Sequence, residues 1–186
     1  MTDASRGSDE EGPSDLELIA RWKRGDEGAA TELVARHAQA LARFASSFGT
    51  RDDVDDLVQD TLVRAFQSLD GFRGESSFRT WLFTIERRLM LDRRRAEKRR
   101  PVGVEVHEDD AATEYDALDV LMAGEAATRV QDAMKRLSPT QREVFALRVG
   151  EGLSYREIAD VVGTTEGAAR VHYHNAMRAV KEFLDD

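Results

Sequence analysis

The chain has 186 residues, of which 41% are apolar and 34% charged, and its net charge is −9. This length accommodates one domain or two small ones. The sequence contains no Cys, which excludes disulfides, thiolate metal sites and a Cys nucleophile. No apolar run approaches the ~20 residues of a membrane span, and segment 1–12 lacks the features of a signal peptide. We therefore expect a soluble, cytoplasmic, mostly helical protein without membrane insertion.

Charge is distributed unevenly along the chain. Segment 79–100 contains nine basic and three acidic residues, whereas segment 101–125 contains eight acidic residues and no Lys or Arg. Such a change in charge predicts a domain boundary. A basic run by itself leaves two interpretations open, a solvated helix face and a nucleic-acid-binding surface.

Apolar residues recur at helical spacing through the first half of the chain. Ser14 and Glu17 form a capping-box pattern, which predicts a short helix that Gly25 ends. Two further helices are predicted over about 27–48 and 54–69, because their apolar residues recur at intervals of three and four.

These patterns divide the chain into two helical domains. A Gly- and Ser-rich loop over 70–77 precedes the basic helix, and the helices within 14–100 are predicted to close one bundle. Segment 1–13 is predicted to be a disordered tail, and 101–124 an acidic, flexible linker, because it has little periodicity and much charge.

The second domain is predicted over 125–186. Ser138 and Gln141 frame a second capping box, with Pro139 at the first helical position. The apolar stripe of the helix that follows is predicted to comprise Val144, Phe145, Leu147 and Val149.

The end of the chain has the pattern of a helix-turn-helix. Ser154 and Glu157 form a third capping-box pattern, which predicts the start of a short helix over 155–162. A turn at Gly163 and a longer helix over about 166–184 follow it. The inner face of the longer helix is predicted to comprise Ala169, Tyr173, Ala176 and Val180. Its outer face carries hydrogen-bonding groups, as a helix in the major groove requires. The alternative is an ordinary helical hairpin.

Enzymatic and metal chemistry are not expected. None of the four His residues has an acidic residue three positions before it, and no Lys follows a Gly-rich phosphate loop. An acidic cluster is instead interpreted as helix N-terminal charge, and it comprises Asp52, Asp53, Asp55, Asp56 and Asp60. We predict no catalytic residue, no cofactor and no metal.

Four segments match the motifs of one known family. They are 53–66 (DVDDLVQDTLVRAF), 72–85 (FRGESSFRTWLFTI), 137–145 (LSPTQREVF) and 152–159 (GLSYREIA). The first two resemble region two, and the last two region four, of the extracytoplasmic-function (ECF) sigma factors. These are small two-domain initiation subunits of bacterial RNA polymerase. The chain differs from the common family pattern at Arg88, where Asn is frequent, and at Ala168 and Ala169, where Thr-Val is frequent.

The resemblance implies a function and a set of contact residues. Region two would bind the β and β′ subunits of core RNA polymerase and open the minus-ten element, and region four would read the minus-thirty-five element. The expected polymerase contacts are Asp55, Asp56, Leu57, Gln59 and Asp60. The expected minus-ten contacts are Phe72, Arg73, Ser76, Ser77, Arg79, Arg87, Arg88, Arg94 and Arg95. The expected minus-thirty-five contacts are Arg156, Thr165, Arg170, Val171, His174, Asn175 and Arg178.

Some alternatives stay open at this point. Trp81 is interpreted as a core residue rather than a base-stacking residue, and Ser76 and Ser77 either contact DNA or cap the basic helix. The chain could instead be a free-standing helix-turn-helix regulator that does not depend on core polymerase, which would need a dimer interface.

The resemblance also implies regulation by a partner. An anti-sigma factor is expected to hold the protein inactive, and we predict a compact inactive form and an extended polymerase-bound form. The acidic linker is further predicted to mask the basic helix from duplex DNA. The acids concerned are Glu105, Glu108, Asp109, Asp110, Glu114, Asp116 and Asp119.

Overall fold

A computed structural model describes residues 12–48, 54–99 and 125–185. In these ranges the regular secondary structure is entirely helical, which confirms the predicted all-α class. None of the helices in the ranges is long and apolar enough to cross a membrane. Nearly all of the predicted tail 1–13, and the whole of the predicted linker 101–124, lie outside the described residues.

Eight α-helices follow one another along the described chain. They are α1 (Asp15–Trp22), α2 (Glu27–Ser46), α3 (Val54–Gln67), α4 (Phe78–Arg99), α5 (Glu125–Lys135), α6 (Pro139–Phe145), α7 (Tyr155–Val162) and α8 (Glu166–Asp185). A short 3-10 turn, Leu69–Gly71, follows α3, and a π turn, Ala146–Gly150, follows α6. The predicted ends of α2, α3, α7 and α8 agree with these bounds within two residues.

Capping boxes fix the starts of three helices. In each one, the serine side chain accepts from the backbone N–H three residues on, whose own side chain accepts from the serine N–H. The exchange satisfies donors that the first helical turn leaves without intrahelical partners. The three pairs are Ser14 with Glu17, Ser138 with Gln141, and Ser154 with Glu157, all as predicted.

The described residues form two compact units, which divide between His37 and Ala38. The first contains α1 and the first half of α2. Arg36 donates to the Pro13 carbonyl at 2.6 Å, and His37 Nε2 lies 2.9 Å from an Asp15 carboxylate oxygen. These contacts fix the start of α1 against α2, and His37 is buried on the apolar side of α2.

The second unit has one core beneath α4 and another beneath α8. Phe44 and Phe83 are both buried and meet edge to face, with ring centroids 5.2 Å apart. Helix α3 packs on α4, and α7 packs on both α4 and α8. The core beneath α8 comprises Val130, Ala133, Met134, Leu137, Phe145, Ala176 and Val180.

Val149 departs from its predicted position. The sequence places it on the buried stripe of α6, but it is 45% exposed. Helix α6 ends at Phe145 and continues as the π turn. Because a π turn contains more residues than an α turn, the apolar spacing no longer keeps one face inward.

Candidate nucleic-acid interface

Helices α7 and α8 form a helix-turn-helix. Gly163 ends α7 in the left-handed conformation (φ 71°), which a glycine adopts without steric cost. Thr165 then caps α8, since its hydroxyl accepts from the Ala168 N–H at 3.2 Å. Ala169 and Ala176 are fully buried, so these small side chains allow α8 to pack closely. The predicted inner face is confirmed, with Tyr173 half-buried at its edge.

The outer face of α8 is available to a ligand. Four of its predicted contact residues are exposed, and Asn175 is half-buried. Val171 is an apolar group with 58% of its surface exposed beside cationic and polar neighbours. The exposed residues are Arg170, Val171, His174 and Arg178, and Arg156 is exposed on α7. This side-chain set matches the donors and apolar groups that read base edges.

Tyr155 positions the most central of these cations. The Arg170 guanidinium lies 5.1 Å from the centre of the Tyr155 ring and pairs with Glu166 at 3.1 Å. Arg148 lies 4.7 Å from the same ring. Tyr155 was not singled out from the sequence, because its contact with Arg170 depends on how α7 crosses α8.

The basic residues of α4 fall into two groups. Arg88 and Arg95 are exposed, and so is Arg73 in the preceding loop. Arg94 is half-buried, stacks on the Phe48 ring at 5.2 Å and donates to the Phe48 carbonyl at 2.8 Å. The structure therefore does not unite all the predicted minus-ten residues in one open surface.

Arg79 and Arg87 belong to the second group, together with Arg43 of α2. Glu151 accepts from Arg43 Nε at 2.8 Å and from Arg43 Nη2 at 2.9 Å, and it also pairs with Arg79. Glu143 accepts from Arg87 Nε at 2.7 Å. We call Arg43, Arg79 and Arg87 the arginine cluster. The hydrogen bonds that Arg43 donates to Glu151 raise the pKa of Arg43, so Arg43 remains charged.

Two more carboxyl groups lie at this contact. Glu157 accepts from the Thr80 hydroxyl at 3.2 Å; burial opposes its ionisation, but hydrogen bonds from Ser154 and Thr80 leave its pKa lowered. Glu86 is fully buried, and neither of its oxygens has a hydrogen-bond partner among the described residues. Burial first, and the charge of Glu151 second, raise the pKa of Glu86 well above its ordinary value.

Three aromatic rings pack together where the loop 70–77 meets α4. The Trp81 ring centroid lies 5.1 Å from that of Phe72 and 5.7 Å from that of Phe78. Phe72 and Trp81 are half-buried, so Trp81 packs against neighbouring rings and keeps an accessible edge. Ser77 accepts from the Thr80 N–H at 3.1 Å and thus caps α4, whereas the Ser76 hydroxyl donates to the Ser77 carbonyl at 3.4 Å.

The acidic residues of α3 form a separate exposed surface. Asp55, Asp56, Gln59 and Asp60 are exposed, and Asp60 pairs with Arg93 at 2.6 Å. Leu57 is 2% exposed, so it anchors α3 in the core and offers no contact surface in this structure. No group of three or more His, Asp or Glu in the described ranges is arranged to hold a metal ion.

Sequence reasoning missed the carboxylates that meet the arginine cluster. Glu143 lies between Arg142 and the apolar run 144–147, and this local sequence does not indicate that it is buried. Arg43 and Glu151 are 108 positions apart, so no periodic pattern links them.

Comparison with known proteins identifies both halves of the chain. Residues 33–100 match the family model of sigma-70 region 2, and residues 127–180 match that of sigma-70 region 4. The chain is 30% identical to the ECF RNA polymerase sigma-E factor of Haemophilus influenzae, covering 90% of this chain and 94% of that protein. It is 36% identical to the RNA polymerase sigma factor NccH of Alcaligenes xylosoxydans xylosoxydans, covering 83% and 86%.

Solved structures agree with this result. CnrH, in complex with the cytosolic domain of CnrY, is 32% identical with a TM-score of 0.67, covering 93% of this chain and 98% of that one. The sigma factor RpoE of Bartonella quintana, in complex with the anti-sigma factor NepR, is 26% identical with a TM-score of 0.67, covering 83% and 96%. With both regions matched in order, the free-standing regulator is not favoured, and the chain belongs to the ECF sigma factors of RNA polymerase.

Proposed function

We propose that this sigma factor, which directs RNA polymerase to promoters, reads them with two surfaces in two domains, residues 14–100 and 125–186. It acts in the cytoplasm, without a cofactor, and the polymerase performs the chemistry. The observation that carries the proposal is the exposed outer face of α8 within a region-four match. The direct test is in vitro transcription with core polymerase on a promoter library. Core polymerase alone is the control, and the absence of promoter-selective transcripts would contradict the proposal.

The minus-thirty-five element is read by α8 in the major groove. Arg170 donates two hydrogen bonds to a guanine, and Val171 contacts a thymine methyl group. His174 and Asn175 reach base edges or phosphates. Arg156, Arg178 and the N-terminus of α8 at Thr165 hold the backbone, which fixes the register of the helix.

Replacing Arg170 with Ala is expected to cost about 1–3 kcal/mol of binding free energy on the cognate minus-thirty-five element. The loss arises because a guanine edge is left without its bidentate donor. Holoenzyme affinity for promoters with intact and scrambled elements measures it. Lys181→Ala removes an exposed cation from the same helix and serves as the control. Equal losses on both promoters, or in the control, would show that Arg170 contributes only charge.

The minus-ten element is opened and held by α4 and the loop before it. Exposed cations attract the phosphates: Arg73, Arg88 and Arg95, followed by Arg79, Arg87 and Arg94 once they are accessible. Phe72 and the accessible edge of Trp81 stack on an unpaired base, and Ser76 and Ser77 contact its edge or sugar. Stacking of one base on an aromatic side chain contributes about 1–3 kcal/mol, comparable with the cost of unstacking.

The acidic surface of α3 binds the β and β′ subunits of core polymerase. Asp55, Asp56, Gln59 and Asp60 are exposed and acidic or polar, which fits a basic protein surface and not DNA. An anti-sigma factor competes for the polymerase-binding faces, as the structures of RpoE with NepR and CnrH with CnrY suggest by analogy.

Reversing Asp56 and Asp60 to Lys is expected to weaken core binding at least about tenfold, because opposite charges become like charges across the contact. The bundle should remain folded, since the Asp60–Arg93 pair is exposed and contributes less than about 1 kcal/mol. Fluorescence titration with core polymerase measures the affinity, and circular dichroism checks the fold. The double variant Glu182→Lys/Asp185→Lys makes the same charge change on α8 and should bind normally. An equal loss in both variants would assign the effect to net charge.

A further inference from the structure

The arginine cluster holds carboxylates where a nucleic-acid interface would hold phosphates. Glu151 receives two hydrogen bonds from Arg43 and a further contact from Arg79, and Glu143 receives one from Arg87. Both carboxylates come from the part of the chain that matches region four, whereas the arginines come from the part that matches region two.

A guanidinium group recognises carboxylates and phosphates by the same geometry. Both ligands offer two oxygens to the planar N–H fork of arginine, so they compete for it. In this structure the fork of Arg43 is engaged by both oxygens of Glu151. DNA phosphates therefore reach these arginines only when the carboxylates leave.

The two carboxylates are buried where they meet the arginine cluster. The Glu151 and Glu143 side chains are only 2% and 3% exposed, while the three arginines keep between 19% and 36% of their surface exposed. A buried carboxylate is costly unless it is paired, so the two acids depend on the arginines. The contacts of Glu157 with Thr80 and of α7 with α4 extend the same interface.

We propose that region four closes on α4 as an internal competitor of promoter DNA, with Glu143 and Glu151 in the positions of phosphates. The closed form hides the arginine cluster, and the open form exposes it together with Arg88 and Arg95. The part of the inference that concerns DNA rests on the proposed function of α4. The closure itself does not, and it can be measured in the free chain.

The absence of Cys makes this closure measurable. Spin labels at Gln67→Cys on α3 and Lys181→Cys on α8 report the distance between the two regions by pulsed electron paramagnetic resonance. In the full chain, Glu143→Gln/Glu151→Gln is expected to shift the distribution to longer distances. The control Glu182→Gln/Asp185→Asn removes two exposed charges and should leave the distribution unchanged. An unchanged distribution in the first variant would overturn the proposal.

The same variants test whether the two carboxylates compete with DNA phosphates for the arginine cluster. Apparent affinity falls in proportion to the fraction of molecules that are open, so Glu143→Gln/Glu151→Gln is expected to bind a mixed-sequence single-stranded DNA oligonucleotide roughly tenfold more tightly than the wild-type chain. The control Glu182→Gln/Asp185→Asn shows how much of the change in DNA affinity comes from net charge alone. If the distances lengthen but DNA affinity equals that of the control, the carboxylates do not compete with phosphates and the proposal fails.

Exchanging the two charges of the Arg87–Glu143 pair distinguishes loss of this ion pair from unfolding of the chain. Arg87→Glu alone places two carboxylates together and should open the chain, whereas Arg87→Glu/Glu143→Arg should restore the closed distance. If the closed distance is not restored, Arg87 and Glu143 do not form the proposed pair.

Promoter-directed transcription by the holoenzyme separates this inference from the proposed function, because holoenzyme that contains Glu143→Gln/Glu151→Gln should still transcribe from promoters. If holoenzyme with the wild-type chain also gives no promoter-directed transcription, the proposed function is wrong. The distance measurements would still test the closure.

Discussion

Phe83→Ala is expected to lower the free energy of unfolding by about 3–5 kcal/mol. Phe83 is fully buried on α4, and its ring meets that of Phe44 edge to face at 5.2 Å and 73°. Truncation removes the transfer free energy of the ring and leaves a cavity that close-packed neighbours cannot fill. It also removes the edge-to-face contact, which contributes about 0.5–1.5 kcal/mol.

Urea unfolding followed by circular dichroism measures this loss as a lower midpoint. Val63→Ala is the matched control, since Val63 lies on α3 and is 49% exposed; its effect should stay within about 0.5 kcal/mol. A loss at position 83 no larger than that of the control would show that the two rings do not anchor α4. Because Arg79 lies over the Phe83 ring at 5.6 Å, DNA binding by α4 should weaken in the same variant.

Helix starts and stops were predictable because their signals are local. A serine followed three residues later by Glu or Gln satisfies its own backbone donors, so the pattern marks a helix start wherever it occurs. Ser154 with Glu157 is the clearest case, and the left-handed Gly163 marks the end of the same helix. These two signals predict the first and the last residue of α7 correctly.

The two faces of α8 were predictable for a different reason. Apolar residues at intervals of three and four must share one side of a helix, so the burial of Ala169, Ala176 and Val180 follows from their spacing. The exposure of Arg170 and His174 follows from the same geometry. Val149 does not follow this spacing, because the π turn changes the number of residues per turn.

The pairing of Arg79 and Arg87 with carboxylates was not predictable from spacing. Their positions in a basic run suggested one open surface. Their partners Glu151 and Glu143 lie 72 and 56 positions away, and only the packing of the helices brings them together. Residue type and spacing predict which face of α4 is charged, but not what that face contacts.

Glu86→Gln is expected to stabilise the protein at neutral and alkaline pH, although it changes only one atom. Glu86 is fully buried without a hydrogen-bond partner among the described residues, and Glu151 adds a repulsive charge. Burial, and then that charge, raise the pKa of Glu86 well above its unfolded value of about 4.3. The ionised form is therefore disfavoured in the folded chain, and the glutamine, which cannot ionise, is free of this cost.

The direction of the pH dependence follows from proton binding. Below the unfolded pKa, the carboxyl group is protonated in both states and has no effect on the slope. Between the unfolded and the raised folded pKa, the folded state binds more protons, so Glu86 makes stability fall as the pH rises. Above the folded pKa the penalty is constant. The advantage of Glu86→Gln should therefore grow as the pH rises above about 4.3 and then level off.

We expect the advantage to reach about 1–3 kcal/mol at alkaline pH, which is the usual cost of burying a polar group without a hydrogen-bond partner. Urea midpoints of both proteins at a series of pH values measure it. The difference between them cancels the contribution of Glu157, whose lowered pKa acts in the opposite direction. Glu97→Gln, an exposed acid on the same helix, should show no such trend. If Glu86→Gln and Glu97→Gln follow parallel curves, then Glu86 is accessible to water in solution and does not carry the cost of a buried carboxylate.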